Sequence, residues 1–197
     1  MKRRELLAVI GAGAATMALA IPAQAMQRTA AFSAAETRRV DQLLKLVQQR
    51  LEMAPATAET RWKTMARIED SASEQTAIDA VRRLAIKIGL DADLAARFAQ
   101  AQIEAGKIIQ TARHREWATN TAAAPARLGT ADQFRASTPE PEFGGALLRA
   151  LRDAAGVLRR HGGRGLLDAR AADLIHVGGA DLLAGQAALK PLYDIAN

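Results

Sequence analysis

Cysteine is absent from this 197-residue sequence, and aromatic residues make up only 4% of it. A chain without cysteine has no disulfide framework, no thiol nucleophile and no thiolate metal site. Its stability must come from an apolar core, and the chain is long enough for one domain with a sizeable core. β-Branched residues are few and alanine is abundant, which favours helices over sheet.

The sequence also lacks the common catalytic motifs. It contains no G-x-S-x-G elbow, no H-E-x-x-H pair, no Walker loop and no dinucleotide-binding fingerprint. His114, His161 and His176 lie far apart and share no metal-ligand spacing, which is typical of surface or helix-end histidines. Neither a metal nor a cofactor is predicted.

The first 25 residues have the pattern of an export signal. The basic stretch MKRR precedes the apolar stretch LLAVIGAGAATMALAI, and PAQA ends in a small-x-small cleavage site. We predict cleavage after Ala25, and therefore a periplasmic or secreted protein of residues 26–197. The apolar stretch is shorter than a membrane span requires, so no stable membrane anchor is expected. RRELL also partly fits a twin-arginine signal, so the export route stays open.

The next stretch predicts a long first helix. Ser33 and Glu36, in the stretch SAAE, form a capping box ahead of apolar residues at helical spacing. We predict that this helix ends near Met53, because Pro55 interrupts it. A separate short helix is predicted over residues 61–66.

Two further helices are predicted before residue 120. The stretch SASE, beginning with Ser71 as the cap, precedes an apolar stripe, and Gly89 is a plausible C-terminal stop. Asp91 or Asp93 is predicted to cap the third helix, which runs to about Trp117.

The second half of the chain has weaker helical patterns. Prolines and glycines across 119–142 predict a linker. Beyond it, three helices are predicted, at about 143–160, 164–177 and 181–195. We see no strand pattern and no internal repeat. We therefore predict a single all-α domain: a helical bundle with long helices in the N-terminal half and shorter helices in the C-terminal half.

Polar residues border the apolar stripes of these helices. Arg50 lies one turn past Val47, at the edge of the first helix's apolar face. Gly106, Gln110 and His114 recur at four-residue intervals, so they share one face of the third helix. A glycine inside a helix costs about 1 kcal/mol relative to alanine. Taken singly, each of these residues also fits an ordinary helix surface.

Taken together, four stretches resemble the all-helical chorismate mutases, and most closely their exported, periplasmic subclass. They are QRLEMA (49–54), RWKTMARIEDSASEQ (61–75), LD (90–91) and AQIEAGKIIQ (101–110), with Trp117 following. The core of the resemblance lies within 33–117. In the accessory region, 143–197, it rests on helix pattern and on LKPLY (189–193).

The resemblance implies an isomerase of the shikimate pathway of aromatic amino acid biosynthesis. Such an enzyme converts chorismate to prephenate by an intramolecular Claisen rearrangement. That reaction needs no nucleophile, metal or cofactor. It needs a folded substrate conformer and fixed donors at the ether oxygen, where negative charge develops.

The resemblance also implies roles for individual residues. Arg50 would bind a substrate carboxylate, and Arg61 would bind a carboxylate and the ether oxygen. Gln110 would donate to the ether oxygen, and because an amide donates at any pH, activity without an acidic optimum is expected. Glu74 would accept from the ring hydroxyl. Asp70 would receive that hydroxyl or order the nearby cations.

Three positions depart from the family pattern. Arg61 replaces a lysine. Ser73 stands where some members have arginine, although its backbone amide at a helix start can still bind an anion. Gly106 stands where some members use serine or threonine to hold a carboxylate. A further arginine is expected from the second half of this chain, with Arg149 as the candidate and Arg152 as the alternative.

The overall charge agrees with an anionic ligand. The formal net charge of +6 falls to +4 when residues 1–25 are removed. No arginine-rich tract with interleaved aromatics is present, so nucleic acid is not expected as a partner. The alternatives are a catalytically inactive periplasmic binding or interaction protein with the same fold, and a peripheral membrane or nucleic-acid binder supported by charge alone. The long helices permit a homodimer but do not require one.

Overall fold

A computed structural model of the chain describes residues 32–128, 142–177 and 181–196, with only the backbone described at 142 and 143. Within these ranges the regular structure is helical and contains no strand, which confirms the predicted all-α class. The predicted export signal and most of the predicted linker lie outside the described residues. The helices are α1 Ala34–Thr64, α2 Ser71–Ile88, α3 Ala92–Thr119, α4 Glu142–Leu158, α5 Gly163–Leu174 and α6 Leu182–Ile195.

Helix α1 is continuous over 31 residues, so the prediction that Pro55 ends it was wrong. The predicted short helix over 61–66 is instead the last part of α1 together with its cap. A proline inside a helix removes one backbone hydrogen bond and costs about 3 kcal/mol. Here Leu51, Ala54 and Ala58, on both sides of Pro55, are buried in the core. Their burial against the core offsets this cost and keeps the helix continuous across Pro55.

Helix α2 begins at Ser71, and its N-cap is Asp70, so the prediction that Ser71 is the cap was wrong. The Asp70 carboxylate accepts from the Ser73 amide at 3.1 Å and from the Ser73 hydroxyl at 2.8 Å. A carboxylate at this position is also favoured by the helix dipole. The predicted stop at Gly89 is confirmed, because Gly89 takes φ +72°, a conformation that favours glycine.

The other predicted caps of the first half are also present. Ser33 and Glu36 form the capping box at the start of α1. Asp91 caps α3 by accepting from the Leu94 amide at 2.6 Å. These short-range signals fix where α1 and α3 begin.

The described helices share one apolar core. Helix α1 packs against α3, α4 and α5, and α3 packs in addition against α2 and α6. Buried glutamines connect the two halves of the chain: Gln102 of α3 donates to the carbonyl of Ala188 in α6 at 2.9 Å. The largest fully buried side chains are Phe98, Leu43, Leu44, Leu94, Ile109, Leu151, Leu158, Leu167, Leu192, Val40 and Val47.

Helices α1 and α3 run parallel to each other. The Nε2 atom of His114 donates to the carbonyl of Ala58 at 2.9 Å. One turn further on, the rings of Trp62 and Trp117 are 5.6 Å apart between centroids. Residues of α1 are therefore level with residues 55 or 56 positions later in α3, and this alignment positions the site described next.

In the part of the chain that the structure describes, no helix is long and apolar enough to cross a membrane.

Candidate functional site

The parallel alignment of α1 and α3 brings two of the predicted site residues to the same level. Ala58 is opposite His114. Two turns earlier, the same offset of 56 residues puts Arg50 level with Gly106, and one turn earlier it puts Ala54 level with Gln110. The half-buried Arg50 and the buried Gln110 therefore lie within about one helical turn of each other, on neighbouring helices.

Arg50 is half-buried on α1, and its Nε atom is fully buried with no hydrogen-bond partner among the described residues. Burial lowers the pKa of the Arg50 guanidinium below its usual value. An arginine nevertheless remains charged in a protein. The site thus contains a buried cation whose Nε donor is not used by a described residue.

Arg61 lies on nearly the same side of α1, because eleven residues correspond to about three turns and about 16 Å of helix. Its Nη1 atom donates to the carbonyls of Arg67 and Ile68, the latter at 2.7 Å, in the loop before α2. A guanidinium has five N–H donors, and no described residue accepts from the Nε–Nη2 edge of Arg61. That edge is the one that binds a carboxylate with two parallel hydrogen bonds.

The N-terminus of α2 contributes two carboxylates. Hydrogen bonds from the backbone and hydroxyl of Ser73, with a further contribution from the nearby charge of Arg61, lower the pKa of Asp70. The Ser73 side chain is thus engaged in the cap. Glu74 accepts from the Asp70 amide at 3.3 Å and lies against α3.

Gln110 is 7% exposed, and its Oε1 atom has no hydrogen-bond partner among the described residues. Its Nε2 atom lies 3.5 Å from the place where a Cβ of residue 106 would be. That is an ordinary contact distance, so an alanine would fit at Gly106. The glycine leaves a shallow space beside the Gln110 amide rather than being required by the fold.

Lys107, between Gly106 and Gln110 in the sequence, was not predicted as a site residue. Its Nζ atom is 3.3 Å from Glu74 Oε2 and 2.9 Å from Glu104 Oε1, and its side chain is only 17% exposed. Hydrogen bonding, first to Glu104 and also to Glu74, raises the pKa of Lys107. A lysine three residues after a glutamate resembles an ordinary surface pair, and only the crossing of α2 over α3 shows that it is mostly enclosed.

The predicted Arg149 lies on α4 and is exposed. Its Nη1 atom lies over its own helix, 3.5 Å from where a Cβ of Gly145 would be. Its described contacts include none of the other site residues. The ion pair between Glu36 and Arg160 sets α4 antiparallel to α1. This direction puts Arg149 about one turn from the level of Arg50, and its part in the site stays a prediction.

The alternative, Arg152, is placed further from the site. It pairs with Asp153 and donates to the carbonyl of Ile88 at 3.4 Å. Ile88 is the last residue of α2 and Asp70 caps its start, so the two ends are about 27 Å apart over 18 residues.

Aromatic residues close the C-terminal ends of α1 and α3. The ring of His114 lies 5.3 Å from that of Trp62 and 5.7 Å from that of Trp117, between centroids. The Trp62 indole donates to the Pro125 carbonyl at 3.1 Å, and the Arg127 guanidinium lies 3.9 Å over the Trp62 ring. The segment after α3 is thereby fixed beside Arg61.

Two surface clefts of about 640 and 240 Å³ lie elsewhere, at the N-terminal end of α1. Both are lined by Arg39 and Asp153. Two arginines of the larger cleft are engaged by acids of the same wall, since Arg152 pairs with Asp153 and Arg160 with Glu36. These clefts are therefore weaker candidates for an anion site than the region around Arg50.

The arrangement is suited to a small anion with several oxygen atoms. Two arginines on α1 can bind carboxylates, an amide on α3 can donate a hydrogen bond, and a carboxylate on α2 can accept one from a hydroxyl. No group of three or more histidine, aspartate or glutamate residues in the described ranges is arranged to hold a metal ion. These side chains are the candidate site that the sequence predicts, and their chemistry is compatible with a small anion that also carries a hydroxyl.

The fold has solved counterparts among the chorismate mutases. The crystal structure of chorismate mutase from Burkholderia thailandensis matches with a TM-score of 0.63 and 23% identity, covering 78% of this chain and 98% of that chain. That of chorismate mutase from Burkholderia phymatum matches with a TM-score of 0.62 and 22% identity, covering 80% and 98%. No protein-family model and no curated protein sequence matches this chain. The described chain thus has the fold of these chorismate mutases, as the sequence resemblance predicts.

Proposed function

We propose that this chain is a chorismate mutase that rearranges chorismate to prephenate. The observation that carries the proposal is that Arg50 Nε and Gln110 Oε1, on facing helices, are buried without a hydrogen-bond partner among the described residues. Gln102 Oε1 is the third such atom. A buried polar group without a hydrogen bond costs about 1–3 kcal/mol. A carboxylate that accepts from Arg50 Nε explains why the fold retains this arginine, and the amide of Gln110 carries N–H donors that the same ligand can use. Two solved structures with the same fold are chorismate mutases.

The site residues suit the substrate. Chorismate carries two carboxylates, a ring hydroxyl and the ether oxygen of the breaking bond. Arg50 binds one carboxylate, and Arg61 presents its free Nε–Nη2 edge to the other carboxylate and to the ether oxygen. Gln110 donates an amide N–H to the same oxygen, so the charge that develops there is stabilised in an enclosed site. Glu74 accepts from the ring hydroxyl.

The remaining predicted residues support this arrangement. Asp70 and Ser73 fix the start of α2 through their mutual hydrogen bonds, which holds Glu74 in place. The Ser73 amide, which the sequence offers as an anion-binding group, donates to the Asp70 carboxylate in this structure. Arg149, from α4, closes the site. No residue here needs to transfer a proton, because catalysis consists of holding a reactive conformer and stabilising charge.

A direct assay of residues 26–197 tests the proposal. Chorismate loss is followed by ultraviolet absorbance, and the product is identified as prephenate. We expect Gln110→Ala to lower kcat by about 10²- to 10³-fold, as for removal of one oxyanion donor.

A matched control is available on the same helix. Gln102 is also buried on α3, and its Oε1 likewise lacks a partner among the described residues, but its Nε2 donates to the Ala188 carbonyl in α6. Gln102→Ala should lower stability by about 1–3 kcal/mol while leaving turnover intact. A folded wild type without turnover would contradict the proposal and leave the inactive binding protein as the better hypothesis.

We further propose that the enzyme is exported, on the basis of the signal pattern in residues 1–25. Expression in a Gram-negative host, followed by fractionation and N-terminal sequencing, tests this step. A periplasmic protein that begins at Met26 is expected. A protein that retains residues 1–25 in the cytoplasmic fraction would contradict export.

A further inference from the structure

Lys107 has surroundings that an ordinary surface lysine lacks. Its side chain is 17% exposed, and its Nζ atom lies 3.4 and 3.3 Å from the two oxygens of Glu74. Glu104 Oε1 lies closer, at 2.9 Å. One ammonium is thus held between two carboxylates, one on α2 and one on its own helix.

The two carboxylates differ in exposure. The Glu74 side chain is 20% exposed, whereas the Glu104 side chain is 45% exposed. Glu104 can therefore return to water at little cost, while Lys107 and Glu74 remain enclosed. An ammonium has three donors, so when Glu104 moves away, Lys107 can offer a donor to another carboxylate without leaving Glu74.

Lys107 is also a neighbour of a predicted site residue on α3. It lies three residues before Gln110, and residues three apart are neighbours on a helix surface. Another cation of the candidate site, Arg61, donates from its Nη1 atom to the loop carbonyls of Arg67 and Ile68. Lys107 is thus the enclosed cation on the α2–α3 side of the site.

We propose that Lys107 is a further substrate-binding residue, and that Glu104 is the anion it exchanges for a substrate carboxylate. The Glu104 carboxylate occupies, in the ligand-free protein, the ammonium donor that the substrate carboxylate takes over. This inference rests on the proposed function for the identity of the ligand as a dicarboxylate.

Two variants with opposite expected effects test the inference. Lys107→Gln should raise KM for chorismate by about 10- to 100-fold, the range of one charge-assisted hydrogen bond. Glu104→Gln should instead lower KM, because the competing anion is gone. Lys107→Arg, which keeps the charge, should restore part of the affinity. Arg113→Gln is the matched control, because Arg113 is a cation of α3 on the other side of Gln110, where it pairs with Glu116 and with Asp181 at the start of α6.

The measurement separates this inference from the proposed function. If the wild type turns over chorismate and Lys107→Gln has the KM of Arg113→Gln, the inference is overturned while the enzyme stands. A loss in kcat alone would mean that Lys107 only positions Glu74, which also overturns it.

If the wild type does not turn over, calorimetric titration with a non-reactive dicarboxylate analogue of the transition state decides. Tighter binding by the wild type than by Lys107→Gln supports the role of Lys107 even though the proposed enzyme activity has failed. Absence of binding by the wild type overturns both.

Discussion

Replacing Gln110 by glutamate tests the chemistry of the site more sharply than deleting the side chain. A protonated glutamic acid has one O–H donor and can replace the amide, whereas an ionised carboxylate has only acceptors and repels a developing oxyanion. Position 110 is 7% exposed, and burial raises the pKa of a carboxyl group above its usual value of about 4.3. Gln110→Glu should therefore be active at acidic pH and lose activity as the pH rises.

The size of the loss follows from the titration. If only the protonated carboxyl is productive, kcat/KM falls about tenfold for each pH unit above the pKa of that carboxyl. Once the carboxyl is fully ionised, the variant resembles an enzyme without the donor. Its kcat/KM is then about 10²- to 10³-fold below that of the wild type, which corresponds to about 2.7–4 kcal/mol in the activation barrier. The wild-type amide does not titrate and adds no such slope.

The assay is kcat/KM for chorismate between pH 5 and pH 8, measured with wild type, Gln110→Glu and Gln110→Ala. The alanine variant should be slow at every pH and should lack the steep fall of the glutamate variant. A glutamate variant that keeps the wild-type rate across this range would refute the assignment of Gln110 as the donor to the ether oxygen.

Three further predictions concern other site residues. Arg50→Met should lower kcat/KM by at least about 10-fold and yet raise the melting temperature, because it removes a half-buried cation whose buried Nε has no partner among the described residues. A lowered melting temperature would contradict the unpaired state of Arg50 Nε. Gly106→Ala should raise the free energy of unfolding, measured in urea, by about 1 kcal/mol, because the new Cβ would meet only an ordinary contact of 3.5 Å with Gln110 Nε2. Destabilisation would show that the space beside residue 106 is too small for a methyl group. Asp70→Asn should destabilise the protein at pH 7, because the lowered pKa of Asp70 means that its carboxylate stabilises the fold while ionised. The difference should shrink as the pH falls below about 3.9 and vanish only below the lowered pKa of Asp70 in the folded protein; an equal difference at pH 2 and pH 7 would contradict this cause.

Local signals in the sequence were sufficient for much of the fold. The Ser33 cap, the Gly89 stop and the six helical segments follow from capping chemistry and apolar periodicity, which act over a few residues. The continuity of α1 across Pro55 did not follow, because burial of its neighbours against other helices outweighs the local effect of proline. The identity of the α2 cap was missed because Asp70 and Ser71 are both good caps by residue type alone.

Part of the candidate site could also be predicted from the sequence. The resemblance pointed to Arg50, Arg61 and Gln110, and the structure places Arg50 and Gln110 near the same level of α1 and α3. Lys107 was not found, because its enclosure depends on how α2 crosses α3. The place of Arg149 likewise depends on the packing of α4, for which the sequence contains no short-range signal.

The continuity of α1 has a consequence for how this protein can change in evolution. Arg50 and Arg61 lie on one continuous helix, so the distance and the angle between them are set by the number of helical residues that separate them. An insertion of one residue between them would turn Arg61 by about 100° and take it out of the site, although each side chain would be unchanged. Insertions and deletions in this stretch should therefore be rejected more strictly than substitutions, and Pro55, which would mark a hinge in an isolated peptide, lies inside the most length-constrained part of the chain.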